Sequence, residues 1–211
     1  MCPIDDGVIK YDRSQFEHSD ALSSDEFYEL ERWRNTLYNL KLIGEYLPEK
    51  IGYGNLSQRK DYRYLKKIEK PQFIITGTQT GGLPELNGEY YTRVLDFDLS
   101  KNQVNVNGPL EASSEALTHA AVYEGNPNIN VVFHIHSTPI WKGMIAENYP
   151  ATAKEIPYGT LDMANAVQEI VKVNDSGIIV MKGHDDGVIS FANDLDTAGK
   201  LLLQVYDKFG G

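Results

Sequence analysis

Apolar residues recur in this chain at two spacings, every second position in short runs and every third or fourth in longer ones, and the succession of the two lays out strands and helices. Residues 1–22 are polar, mixed in charge and without a sustained period, and read as an N-terminal arm. At Ser23 a helix begins: Ser23-Ser24-Asp25-Glu26 carries a capping box, and Phe27, Leu30, Trp33 or Arg34, Leu37 and Leu40 share one side until about Tyr46, before Pro48. Phe73-Ile74-Ile75-Thr76 is a short apolar strand, and the alternation of Tyr91 to Leu99, resumed at Val104-Asn105-Val106 after Ser100-Lys101-Asn102, signals a β-hairpin. Ser113-Ser114-Glu115 opens a helix through Ala116, Leu117, Ala120, Ala121 and Tyr123 that stops at Gly125-Asn126-Pro127. A buried strand, Val131 to Ser137, follows, then a short helix around Trp141 to Glu147 and a second one capped by Asp162 and ending near Lys172. Strands at Gly177 to Met181 and Val188 to Phe191 come next, and Asp194 caps a last helix whose Ala198, Leu201, Leu202, Val205 and Phe209 form one stripe. One domain over residues 23–211 accounts for these elements.

The strand at Val131 carries chemistry as well as packing. Side chains alternate faces along a strand, so His134 and His136 project to the same side. Two imidazoles side by side are half a metal site, and a catalytic transition metal takes about three protein ligands and keeps one position open. Glu115 upstream and His184 downstream are the candidates for the rest; His184 follows an apolar run at a Gly-rich strand end, where a neighbouring strand can bring it beside the pair. Two histidines closing a core strand are also met as ordinary hydrogen-bonded residues, and it is the position of His184 that tilts the reading towards metal.

Two loops and a helix start suggest an anion. Gly52-Tyr53-Gly54-Asn55-Leu56-Ser57-Gln58-Arg59 joins glycine-freed amides to Asn and Ser side chains and a guanidinium, although Gly-Asn is also ordinary turn chemistry. Gly77-Thr78-Gln79-Thr80-Gly81-Gly82 offers hydroxyls and amides as a second wall, or is a plain turn. Ser113 and Ser114 cap a helix and can present hydroxyls at its positive end, with Glu115 in the first turn. His119, four residues on, backs up Glu115 or simply packs. Six basic residues between Arg59 and Lys70 lack a repeated aromatic interleaving in an acidic chain and read as a solvated face.

Composition narrows the classes. With 211 residues, 41% of them hydrophobic, the chain builds one substantial core. Thirty acidic against 20 basic residues give a net charge of −10, which argues against a general nucleic-acid or anionic-membrane binder. The single cysteine, Cys2, excludes an internal disulfide framework, and no run has the length of a membrane span or a signal sequence, so a cytoplasmic home is expected.

Five motifs in order, Gly54-Asn55-Leu56-Ser57 with Arg59, Ile75-Thr76-Gly77-Thr78 with its glycines, Ser113-Ser114-Glu115, His134-Ile135-His136 and Gly183-His184, resemble the class II aldolase and adducin-like family over roughly residues 24–209. The resemblance implies an α/β fold, a three-layer α/β/α sandwich around a mixed, largely antiparallel sheet, and usually a homotetramer with active sites near subunit boundaries. It implies Zn2+ or another divalent metal on His134, His136 and His184, Glu115 as acid/base, and substrate phosphate held by Asn55, Ser57, Thr78, Thr80, Gly81, Ser113 and Ser114. The activity implied is zinc-dependent retro-aldol cleavage of a small ketose phosphate through a metal-stabilised enediolate; a sugar-phosphate epimerase or dehydratase on the same metal, or a non-catalytic adducin-like binding protein, is the alternative. The chain departs from the family pattern in having Asp185-Asp186 between His184 and Gly187, and in a short span after His136 that leaves Tyr149 and Tyr158 open as counterparts of the family's proton-donating tyrosine.

Overall fold

The computed structural model describes residues 8–210; Cys2, the first seven residues of the expected arm and Gly211 lie outside them. The elements are β1 (Phe16–His18), α1 (Ser24–Asn39), β2 (Gly44–Tyr46), β3 (Ile51–Tyr53), β4 (Asn55–Lys60), β5 (Gln72–Thr76), β6 (Tyr91–Asp98), β7 (Gln103–Gly108), α2 (Ala116–Gly125), β8 (Val131–His136), α3 (Thr138–Ala146), α4 (Leu161–Val171), β9 (Gly177–Val180), β10 (Gly187–Ala192) and α5 (Leu195–Val205). Eight strands form one sheet in the order β1-β7-β6-β5-β4-β8-β10-β9, while β2 and β3 make a separate hairpin. Every pairing in the large sheet is antiparallel except that of β1 with β7. The fold is a three-layer α/β/α sandwich with a mixed, largely antiparallel sheet.

Alternation along the strands assigns each face its helices. Phe73, Ile75, Val94, Val132, Ile189 and Phe191 pack with Ala116, Ala120 and Tyr123 of α2 and with Met163, Val167 and Val171 of α4. Leu56, Ile74, Val131, Phe133, Ile135 and Val188 pack on the opposite face against α1, α3 and α5 through Leu30, Leu37, Ile140, Met144, Ala198 and Leu202. Each fully buried Val, Ile or Phe contributes roughly 1.5–3 kcal/mol, so β8, buried at all six positions, is anchored on both sides. His134 and His136 fall on the α2 face with Val132. Helix α2 is buried at eight positions from Ala116 to Tyr123, because it lies between the sheet and α4, and its alanines permit the close approach.

Several boundaries differ from the sequence reading. Helix α1 keeps the expected capping box but ends at Asn39, not near Tyr46; Leu40 caps it, and Lys41 takes a left-handed conformation (φ 59°) that sends Leu42 and Ile43 into the core as extended chain. The segment Gly52 to Arg59 is mostly strand, β3 passing into β4 through Gly54 at φ 80°. Thr160, not Asp162, caps α4, its Oγ1 accepting from the Met163 amide at 3.2 Å. Ser137 caps α3, which starts at Thr138, before the expected Trp141. The described part of the arm is docked, with Phe16–His18 as an edge strand and Tyr11 buried and donating to the Ala112 carbonyl at 2.8 Å. Within the expected solvated face, Tyr62 is buried and donates to Glu26 at 3.0 Å.

Candidate functional site

Strand β8 lies between β4 and β10, with His134 opposite Asn55 on one side and Ile189 on the other, and His136 opposite Gly187. The turn from β9 to β10 carries His184. One ring nitrogen from each of the three histidines lies within 4.8 Å of the others, and the Nε2 atoms of His134 and His136 are 2.9 Å apart. Glu115, at the N-terminus of α2, sets its Oε2 3.0 Å from His134 Nε2 and its Oε1 3.7 Å from His184 Nε2. All four side chains are buried.

Outer contacts turn the rings inward. His134 Nδ1 lies 3.2 Å from the Val188 carbonyl, which can only accept, so Nδ1 carries the proton and Nε2 faces its neighbours. Tyr46 of β2 places its hydroxyl 2.7 Å from His136 Nδ1, leaving His136 Nε2 inside. Gly187 sits beneath the rings: a Cβ there would come within 2.5 Å of His184 Cδ2 and 3.2 Å of His134 Cε1.

Electrostatics favour a cation among these groups. Burial raises the Glu115 carboxyl, while the charge that His134, His184 and His119 carry when protonated, with a hydrogen bond from His134, lowers it to about 2. Burial lowers His184 to about 4, aided by His134 and Lys10 and opposed by Glu115. Burial, with His184 and His134, takes His136 well below the usual imidazole range. Neutral imidazole lone pairs and a carboxylate crowded this closely repel one another unless positive charge sits between them. Among the described residues no donor outside the histidine cluster bonds either Glu115 oxygen, and a set of three nitrogens and a carboxylate is a fitting donor set for zinc.

Residues 49–207 match the Class II Aldolase and Adducin N-terminal domain. The chain belongs to the class II aldolase and adducin family. No curated protein sequence is a match. Among solved structures, an L-fuculose 1-phosphate aldolase is 19% identical with a TM-score of 0.62, covering 89% of this chain and 84% of that one. A sugar-phosphate aldolase from Thermotoga maritima is 14% identical with a TM-score of 0.66 and coverages of 87% and 91%. YgbL from Klebsiella pneumoniae, a candidate aldolase/epimerase/decarboxylase, is 15% identical with a TM-score of 0.63 and coverages of 87% and 86%. At these identities the likeness is one of fold.

In this class II aldolase and adducin chain, the cleft above the imidazoles brings together Asn55, Thr78, Thr80, Gly81, Ser113, Ser114 and Glu115 from the sequence reading. Ser57 is a correction. It is fully buried beneath α2, where its Oγ contacts His119 and Tyr123, because the strand carrying Asn55 dives under the helix two residues later. Arg59 likewise turns away, its guanidinium donating to the carbonyls of Ile129, Tyr123 and Asn126. Thr80 Oγ1 donates to the Gly77 carbonyl at 2.8 Å, which tightens the loop. Gly81 is packed against the hairpin: a Cβ would lie 2.4 Å from the Gly44 carbonyl oxygen and 2.5 Å from that of Tyr53.

Three participants escaped the sequence reading or were left open by it. Tyr46 falls at the expected end of the first helix, and the sequence reading gives it no part in the site. Arg34, buried in α1, donates to the carbonyls of Thr80, Gly81 and Pro84 at 2.9–3.2 Å and so fixes the loop from behind; the helical stripe admitted either Trp33 or Arg34. Tyr158 lines the cleft with its ring stacked 4.4 Å from that of His184, whereas Tyr149 packs on Phe209 away from it. Lys10 holds Tyr158 from outside, its ammonium 3.8 Å from the ring centre. Asp185 is exposed, and the left-handed Asp186 (φ 66°) gives its carbonyl to the Ser137 amide.

Proposed function

We propose that this protein is a divalent-metal-dependent lyase that cleaves a small ketose phosphate by a retro-aldol reaction. The reading is carried by one observation: three imidazoles and the Glu115 carboxylate converge at the floor of a cleft whose walls are amides and hydroxyls. His134, His136 and His184 would hold the metal, and a zinc ion on three neutral ligands keeps its charge and supplies carbonyl polarisation. The remaining work belongs to the chain. Asn55, Thr78, Thr80, Gly81, Ser113 and Ser114 bind and orient the phosphate end. Glu115 as a carboxylate removes the proton beside the carbonyl in the condensation direction; in cleavage its protonated form gives a proton to that carbon, balanced by the one the substrate hydroxyl loses as the C–C bond breaks. Val188 and Tyr46 hold the rings in register. The cavity is about 30 Å³, too small for a sugar phosphate, so binding one would require the walls to part. The proposed assembly is a homotetramer with sites near subunit boundaries.

The test has two arms. Metal analysis after chelation and reloading should return about one zinc per chain. Zinc-loaded protein should exchange the hydroxymethyl proton of dihydroxyacetone phosphate in deuterated water. Failure to take up metal removes the enzymatic reading in favour of an adducin-like binding domain. Zinc uptake without exchange redirects the assignment to an epimerase or dehydratase, which a panel of pentulose and methylketose phosphates would then distinguish.

A further inference from the structure

His119 lies on α2 one helical turn after Glu115 and is fully buried. Its Nδ1 is 2.6 Å from Ser57 Oγ, and the same Oγ is 2.7 Å from the Tyr123 hydroxyl. Two proton arrangements satisfy these contacts. In one, His119 donates to Ser57 and Ser57 to Tyr123; the phenol proton then has no acceptor among the described residues. In the other, Tyr123 donates to Ser57, Ser57 donates to His119 Nδ1, and the ring proton sits on Nε2. The first arrangement thus leaves two buried groups unpaired among the described residues, the phenol proton and the Nε2 lone pair. The second arrangement uses every proton of the chain but one, the Nε2–H of His119, and Nε2 has no hydrogen-bond partner among the described residues.

Glu115 supplies a use for that donor. Its oxygens now face the Nε2 atoms of His134 at 3.0 Å and His184 at 3.7 Å, the nitrogens that a metal would occupy. We propose that His119 is a positioning residue for Glu115: kept as the Nε2–H tautomer by Ser57 and Tyr123, it supplies the donor that holds the carboxylate once a cation has taken the imidazole nitrogens. The need to hold Glu115 rests on the function proposed above; the tautomer does not.

Long-range proton–nitrogen NMR of the full chain, with and without zinc, reads which ring nitrogen is protonated, and a His119→Gln variant assigns the signals. A protonated Nε2 in both states is expected; a protonated Nδ1 overturns the proposal whether or not the protein is active. Two variants each copy half of the ring: Gln brings an amide N–H towards the Nε2 position, and Asn an amide oxygen towards Nδ1. At equal zinc content, His119→Gln should stay within about threefold of wild type in exchange of dihydroxyacetone phosphate. His119→Asn should lose about tenfold or more, in kcat rather than KM. Equal losses, or a smaller loss for Asn, reduce His119 to packing and overturn the proposal. If the wild type exchanges no proton, the fault lies with the proposed reaction, and the ring-nitrogen pattern decides the tautomer alone.

Discussion

At the scale of single residues, the site depends on atoms that are missing as much as on those present. Gly187→Ala would push a methyl group to 2.5 Å from His184 Cδ2, so the ring must swing out of the cluster. Zinc affinity, measured by competition with a chelator, should fall about 10- to 100-fold, while an unchanged affinity would show that the turn yields instead. Glu115→Gln should keep the metal and lose roughly 10²–10⁴-fold in proton exchange; full activity would strip Glu115 of its role. His134 and His136 were legible because a period of two is a property of the backbone, and Glu115 was a candidate from its place in a helix's first turn and from the family resemblance. Asn55 and Ser57 share one face of β4, but only Asn55 lines the cleft; Ser57 lies under α2, whose end is set by tertiary packing. Tyr46 and Arg34 act through contacts across the chain that no local pattern encodes.

At the scale of elements, the start of α1 is tied to the sheet by one carboxylate. Glu26 accepts from the Ser23 amide and from Tyr62, and from two nitrogens of Arg93 at 2.8 Å. Burial opposes its ionisation, yet Arg93, Tyr62 and Ser23 together lower its carboxyl to about 2. A depressed carboxyl stabilises the fold fully above its unfolded value, and the gain fades as pH falls from there towards about 2. Glu26→Gln should therefore cost about 1–2 kcal/mol at pH 7, allowing for partial solvent screening, and less at pH 3. Urea denaturation at both values checks this, and a pH-independent difference would assign the loss to the hydrogen bonds alone. The capping box was readable in the sequence because its residues are neighbours; the Arg93 partner was not. The helix end was misjudged because Leu40, Leu42 and Ile43 continue an apolar run, and only the left-handed Lys41 shows that the run has changed conformation.

At the scale of the molecule, the N-terminal segment closes both a sheet edge and one side of the site. Tyr11 is 6% exposed and bonded to the residue preceding Ser113, and Lys10 covers Tyr158. Tyr11→Ala should lower the melting temperature by roughly 5–10 °C, from about 2–3 kcal/mol of lost burial, and should also weaken zinc binding. A lower melting point with normal zinc binding would separate the arm from the site. The layer architecture followed from the family resemblance, but the docking of residues 8–22 did not, since their apolar residues are too sparse to show a period. Light scattering should find four chains per particle, and a monomer would end the tetramer proposal.

Strand β8 serves two masters: its odd-numbered residues glue one helical layer and its even-numbered ones furnish the imidazoles. Inserting one residue ahead of Phe133 would exchange those roles, driving two histidines into oil and two hydrocarbons into the cleft. An insertion or deletion in this stretch thus disturbs the chemistry and the architecture together, for a frame error in one is a frame error in the other.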